Sequence, residues 1–141
     1  MRISPGRRFH VFGFPKLGEM INSRNKGRAF EQRIARIWVS LFGGVVERSS
    51  YVSKKRDDAG VDLIGTEPFN VQCKAVEQSM NIHSILERMP VETNINVVLH
   101  KRNNRGTIAA MDCEDFFSIL KELQELKNQN NDLSKRLCAC E

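Results

Sequence analysis

The chain has 141 residues, 40% of them hydrophobic, and a formal net charge of +5, which bounds it to about one domain with a modest core. No run approaches the roughly 20 apolar residues of a membrane span. The basic start MRISPGRRFHVFGFPKLGEM lacks the apolar stretch of a secretory signal.

Residues 1–22 are rich in Pro, Gly and Arg and read as a flexible basic extension, with Met20 an alternative start. A core spans 23–112. It opens with NKGRAFEQRIARIWVSLFGG, where Phe30, Ile34, Ile37, Trp38 and Leu41 fall at helical spacing and Gly43-Gly44 ends the helix. Glu31 lies beside Phe30 at the border of that stripe, and helix position alone makes it an ordinary surface glutamate. Val45–Val52 alternates like a strand, and SKKRDDAG is a charged turn. VDLIGT and FNVQCKAV are two more strands, so an antiparallel meander is predicted. MNIHSILERMP reads as a helix with Ile82, Ile85, Leu86 and Met89 on its apolar face and Pro90 as its stop. INVVLHK is a buried strand, and RGTIAAMD its hairpin partner. The order α-β-β-β-α-β-β predicts an α/β fold, a mixed central β-sheet flanked by helices on both faces.

Residues 113–141 read as one long helix. Phe116, Leu123, Asn130 and Leu137 occupy a positions and Ile119, Leu126 and Leu133 occupy d positions, a seam of about three heptads. Asn130 at a favours two strands, and Glu122 at g and Lys127 at e can pair between parallel chains. The expectation is a homodimer through a coiled coil. A helix docked on its own domain is the competing reading.

Basic residues cluster in three places. Lys26, Arg28, Arg33 and Arg36 lie on the first helix with Arg24; Arg48, Lys54, Lys55 and Arg56 follow; Lys101, Arg102 and Arg105 come last. Singly they are solvated surface; together they predict a phosphate-binding face, with the first two groups as DNA-binding candidates. Cysteines do not make a zinc site: Cys73 and Cys113 stand alone, Cys138-Ala-Cys140 has the wrong spacing, and the histidines are scattered. Reduced thiols in a cytoplasmic protein are expected, with Cys73 a small core residue.

The strands carry polar residues that a plain core does not explain. Gln72 and Lys74 share one strand face while Val71, Cys73 and Ala75 share the other. A short hairpin brings Asp62 beside Gln72, and Glu31 can join from the covering helix. Such a group suits a divalent cation, Mg²⁺ or Mn²⁺, which takes hard oxygen ligands. Asp62 offers a carboxylate, Gln72 an amide oxygen, Cys73 its backbone carbonyl, and Glu31 a second carboxylate. Lys74 would orient the attacking water or stabilise charge in the transition state. A purely structural polar cluster is the competing reading, and burying one is costly.

Glu31, Asp62 and Gln72-Cys73-Lys74 resemble the PD-(D/E)XK nuclease superfamily in its (E/Q)xK form. NKGRAFEQRIARIW and DDAGVDLIG look like the archaeal-type Holliday junction resolvases, over roughly Asn25 to Lys101. The resemblance implies a restriction-endonuclease-like fold and a dimeric, metal-dependent endonuclease that cuts branched DNA such as four-way junctions, away from any membrane. Glu31, Asp62, Gln72 and Lys74 would be its catalytic set. The chain departs from that pattern in two places. Gln72 stands where the resolvases have Glu, and the Pro expected before the acid is absent, with Asp57 and Asp58 preceding Ala59-Gly60 instead. These two acids are read mainly as turn formers, and otherwise as extra metal or proton-relay groups. Ser49, Ser50 and Tyr51 suit either phosphate contact or a half-buried strand. A restriction- or repair-type nuclease on duplex DNA, and a non-catalytic DNA-binding or assembly module, are the alternatives.

Overall fold

The computed structural model describes residues 23–138, and side-chain burial over 24–136. The expected N-terminal extension and the side chain of Leu137 lie outside the described residues. Helix α1, Ser23–Phe42, packs on the sheet through Phe30, Ile34 and Ala35, with Trp38 half-buried and edge-on to Phe69 at 5.9 Å. The predicted stripe is therefore rotated. Ile37 and Leu41 are exposed, and the small Ala35 takes the place against the sheet. Gly43 ends the helix at φ 73, where its N–H reaches the Val39 carbonyl at 2.8 Å, a left-handed stop that favours glycine.

The expected strand over Val45–Val52 is mostly absent. Only Glu47–Arg48 pairs as β1; Ser49–Val52 turns as α2 and Lys54–Asp58 as α3, in place of a simple charged turn. Hydroxyl and carboxylate groups supply the reason, because Ser and Asp offer the backbone partners other than a ladder. Ser49 is fully buried, its hydroxyl donates to Asp57 Oδ1 at 3.2 Å, and its N–H is taken by the Asp62 carbonyl at 2.9 Å. Strand β2, Leu63–Ile64, is equally short. It ends at Gly65, φ 86, where any Cβ would run into the Val45 carbonyl.

Strand β3, Phe69–Ala75, is followed by α4, Ile82–Arg88, β4, Ile95–Arg102, and β5, Gly106–Met111. The five strands lie in the order β1-β2-β3-β4-β5. β1, β2 and β3 form the antiparallel meander; β4 runs parallel to β3 through the α4 crossover; β5 returns antiparallel. The α/β class and mixed sheet expected from the sequence are both present. Register puts Val71 beside Val97 and Lys74 beside His100. Alternation then separates the two faces. Leu63, Val71, Cys73 and Val97 meet α1 and form the main core. Asn70, Gln72, Lys74, Val98 and His100 share the other face, which α4 covers with the buried Met89.

Helix α5, Cys113–Cys138, starts on Asp112, whose side chain accepts the Glu114 N–H at 2.8 Å. At 1.5 Å per residue it is about 39 Å long. Every residue from 120 to 136 is exposed and no other element packs extensively on it, so it is not docked on its own domain. Among the described residues, no helix is long and apolar enough to cross a membrane.

Candidate active site

Asp62 sits where β2 has not yet begun. Its backbone N–H donates to Val71 O at 2.8 Å, and its side-chain Oδ2 accepts the Cys73 N–H at 2.6 Å. A carboxylate thus replaces the strand partner that Cys73 would otherwise have. N–H and C=O of one strand residue point to the same edge, so the Cys73 carbonyl faces the Asp62 side. Burial pushes the Asp62 carboxyl up to about 6; the Cys73 N–H opposes this, the Glu31 and Asp57 charges add to it, and Lys74 works against it. Asp62 therefore feels Glu31 and Lys74 directly, as the sequence grouping required. The Cys73 thiol is pushed up too, by burial first and then by Asp62 and Glu31. It stays protonated, a core residue as expected.

Gln72 and Lys74 look the other way, into a cleft of about 330 Å³ between β3, α4 and the α3–β2 turn. Gln72 is buried, and its Oε1 has no hydrogen-bond partner. Its amide lies against Gly60, where an added Cβ would come within 3.1 Å of Nε2. Asn70, two residues earlier on the same face, gives the contrast. It donates to Asn96 Oδ1 at 3.0 Å and accepts from Asn94 Nδ2 at 3.3 Å. Buried amides are ordinarily satisfied in this way, so the orphan Gln72 oxygen stands out as an acceptor that the fold itself leaves unused.

Glu31, on the sheet-side border of α1, is ion-paired with Arg48. Arg48 is 8% exposed, not on the open basic surface where a phosphate contact was expected. Burial opposes its charge, but the hydrogen bond and charge of Glu31, helped by Tyr51, outweigh this and raise its pKa. Its guanidinium stacks 4.7 Å from the Tyr51 ring. Of the other DNA-binding candidates, Lys26, Arg28, Arg36, Lys54 and Lys55 are exposed, and Arg33 is half-buried. Arg56 is half-buried and engaged with Glu92 at 2.8 Å.

Sequence reasoning undervalued some residues. Asp57, Asp58 and Arg88 line the cleft with Gln72 and Lys74, and Asp57 also adds to the field at Asp62. Only the alternative reading of these acids hinted at this, and nothing in the spacing linked Ser49 to Asp57. Among the described residues no three His, Cys, Asp or Glu side chains are grouped to hold a metal ion. An Asp62 carboxylate, the Gln72 Oε1 and the Cys73 carbonyl, with Glu31 nearby, are a different donor set, of the hard oxygens that Mg²⁺ takes. The orphan Gln72 oxygen fits that set. Comparison with protein-family models, with curated proteins and with solved structures gives no match.

Proposed function

We propose that the chain is a metal-dependent endodeoxyribonuclease of the PD-(D/E)XK type, acting on branched DNA in the manner of a Holliday junction resolvase. The observation that carries this is the pairing at the β2–β3 join: a buried Asp62 bonded to the Cys73 N–H, beside a buried Gln72 whose Oε1 has no partner. The finer, restriction-endonuclease-like reading of the fold belongs to the same proposal; a meander followed by a parallel strand, with a helix on each face, supports it.

Asp62, Gln72 and the Cys73 carbonyl would hold Mg²⁺ or Mn²⁺, with Glu31 as a further donor. A divalent cation bound there supplies Lewis-acid polarisation of the phosphate and lowers the pKa of water. The chain's own residues do the rest. Lys74 is charged and half-buried, and it points from the face of Gln72 into the cleft. There it orients the attacking water and stabilises negative charge as it develops on phosphate oxygens. Arg48 holds one oxygen of Glu31 and fixes the direction of the other. Exposed Lys26, Arg28, Arg36, Lys54 and Lys55 attract the DNA backbone.

Helix α5 supports a homodimer. Phe116, Leu123, Leu126 and Leu133 are 45–57% exposed along one seam, and a continuous apolar stripe on a monomer is a liability. A parallel coiled coil would cover it, with Asn130 facing its mate. Two sites on one dimer suit the two strands of a junction.

A labelled four-way junction and a matched linear duplex, each incubated in Mg²⁺ and in EDTA, test the reading. Cleavage of the junction in Mg²⁺ alone is expected. Cleavage of duplex and junction alike would shift the reading to a restriction- or repair-type nuclease. No cleavage of either, with DNA binding retained, would leave a non-catalytic DNA-binding module.

A further inference from the structure

A second cavity, of about 430 Å³, opens beyond the start of α4 on the same sheet face as Gln72 and Lys74. One side is basic. Arg102 ends β4, Arg105 lies in the β4–β5 turn, and both line the cavity with Ser79. The other side is apolar, from Met80, Ile82 and Ile108. Among the described residues, no acidic side chain lines it. Arg102 is half-buried, and its Nε is buried with no hydrogen-bond partner. Below them His100, 8% exposed, donates from Nε2 to the Val76 carbonyl at 2.9 Å and closes the floor.

The chemistry is specific. A guanidinium with an orphan inward donor, a second guanidinium and a hydroxyl make a cradle for a tetrahedral oxyanion, which arginine binds through two parallel N–H donors. Three apolar side chains opposite are suited to a deoxyribose. The mixture of anion and sugar surfaces fits a nucleotide better than a free anion. The cavity's position fits the same ligand. His100 is the β4 partner of Lys74, and Arg102 lies two residues further on the same face. From strand spacing and rise, the Cα atoms of Lys74 and Arg102 are about 8 Å apart. α4 borders both cavities, with Ile85 lining the first and Ile82 the second.

We propose that the Arg102–Arg105 cavity is a subsite for an uncut backbone phosphate and its sugar, close along the strand to the phosphate held beside Lys74. This rests on the nuclease reading for its role, although not for its binding chemistry. The Lys101–Arg105 basic cluster thereby gains a defined role, in which Arg102 and Arg105 hold the strand in register so that one particular phosphate meets the catalytic group.

The test uses the full chain in EDTA, where nothing is cut. The Nε–H resonance of Arg102 is followed by NMR while a dinucleotide with one phosphodiester, and separately inorganic phosphate, is added. The dinucleotide is expected to shift that resonance at lower concentration than phosphate does. In parallel, an Arg102→Gln/Arg105→Gln variant with an unchanged unfolding midpoint should bind duplex DNA with a salt slope smaller by about 2, close to 0.9 for each lost phosphate contact. An Arg102 resonance that the dinucleotide does not move overturns the proposal. So does a shift by inorganic phosphate alone, which would make the cavity a free-anion site. The two readings fail separately. A shifted Arg102 with no junction cleavage sinks the nuclease and keeps the subsite; cleavage with an unmoved Arg102 sinks the subsite alone.

Discussion

Replacing Asp62 by asparagine removes a charge while keeping an oxygen to accept the Cys73 N–H. In the folded chain burial pushes this carboxyl from its ordinary 3.8 to about 6. The native state therefore holds the Asp62 proton more tightly than the unfolded state. Stability from this group is fully present below about pH 3.8 and is lost as pH rises through about 6, because the unfolded chain then gains more by ionising. At 1.36 kcal/mol per pKa unit the whole loss is about 3 kcal/mol. About 1 kcal/mol of it has gone by about pH 4.5 and nearly all by about pH 7.5. Urea unfolding in EDTA should accordingly find Asp62→Asn more stable than the wild type by about 3 kcal/mol near pH 7.5, with the gap shrinking to about 1 kcal/mol near pH 4.5. A bound divalent cation favours the ionised form, so Mg²⁺ should recover stability in the wild type near pH 7.5, about 2.7 kcal/mol at a hundredfold excess over its Kd. The variant should gain little. An Asp62→Asn chain that is less stable than the wild type near pH 7.5, or a gap that does not change with pH, would refute the reasoning. Asp62 would then be a well-solvated structural acid with no reason to be kept costly.

Lys74→Ala should abolish junction cleavage while leaving DNA affinity within a few fold, measured by gel shift in EDTA, because it removes charge stabilisation rather than backbone contacts. Gln72→Glu should retain activity, whereas Gln72→Leu should inactivate without destabilising, since it deletes an acceptor that no donor in the fold satisfies; calorimetry and cleavage together decide it. Arg48→Ala should cost roughly 3 kcal/mol in urea unfolding, because it leaves the mostly buried Glu31 unpaired. Truncation after Phe117 should turn a dimer into a monomer by light scattering, and Asn130→Leu should raise thermal stability while adding higher oligomers.

The order of elements was legible in the sequence because periodicity reports burial face, and burial face is what helices and strands are selected for. Phe30 and Ile34 announced the α1 face, Val71 and Cys73 the β3 core, and Val97 and Val98 the buried β4. Gln72 and Lys74 stood out for the same reason, as polar residues on a strand whose neighbours are apolar. The sequence by itself therefore determined the mixed α/β plan, the two faces of β3 and the membership of the Asp62–Gln72–Lys74 group. Other features depend on contacts between segments far apart in the chain, and no local pattern encodes them. The length of β1 was one, since Ser49 leaves the ladder only because Asp57 and Asp62 are there to receive it. The rotation of α1 was another, since Ala35 rather than Ile37 meets the sheet only once strand spacing leaves no room for a larger side chain. Arg48 reads in sequence as one more surface base. Tertiary structure alone brings Glu31 and Tyr51 around it, and the low dielectric of that enclosure turns a solvated cation into a fixed partner of the glutamate.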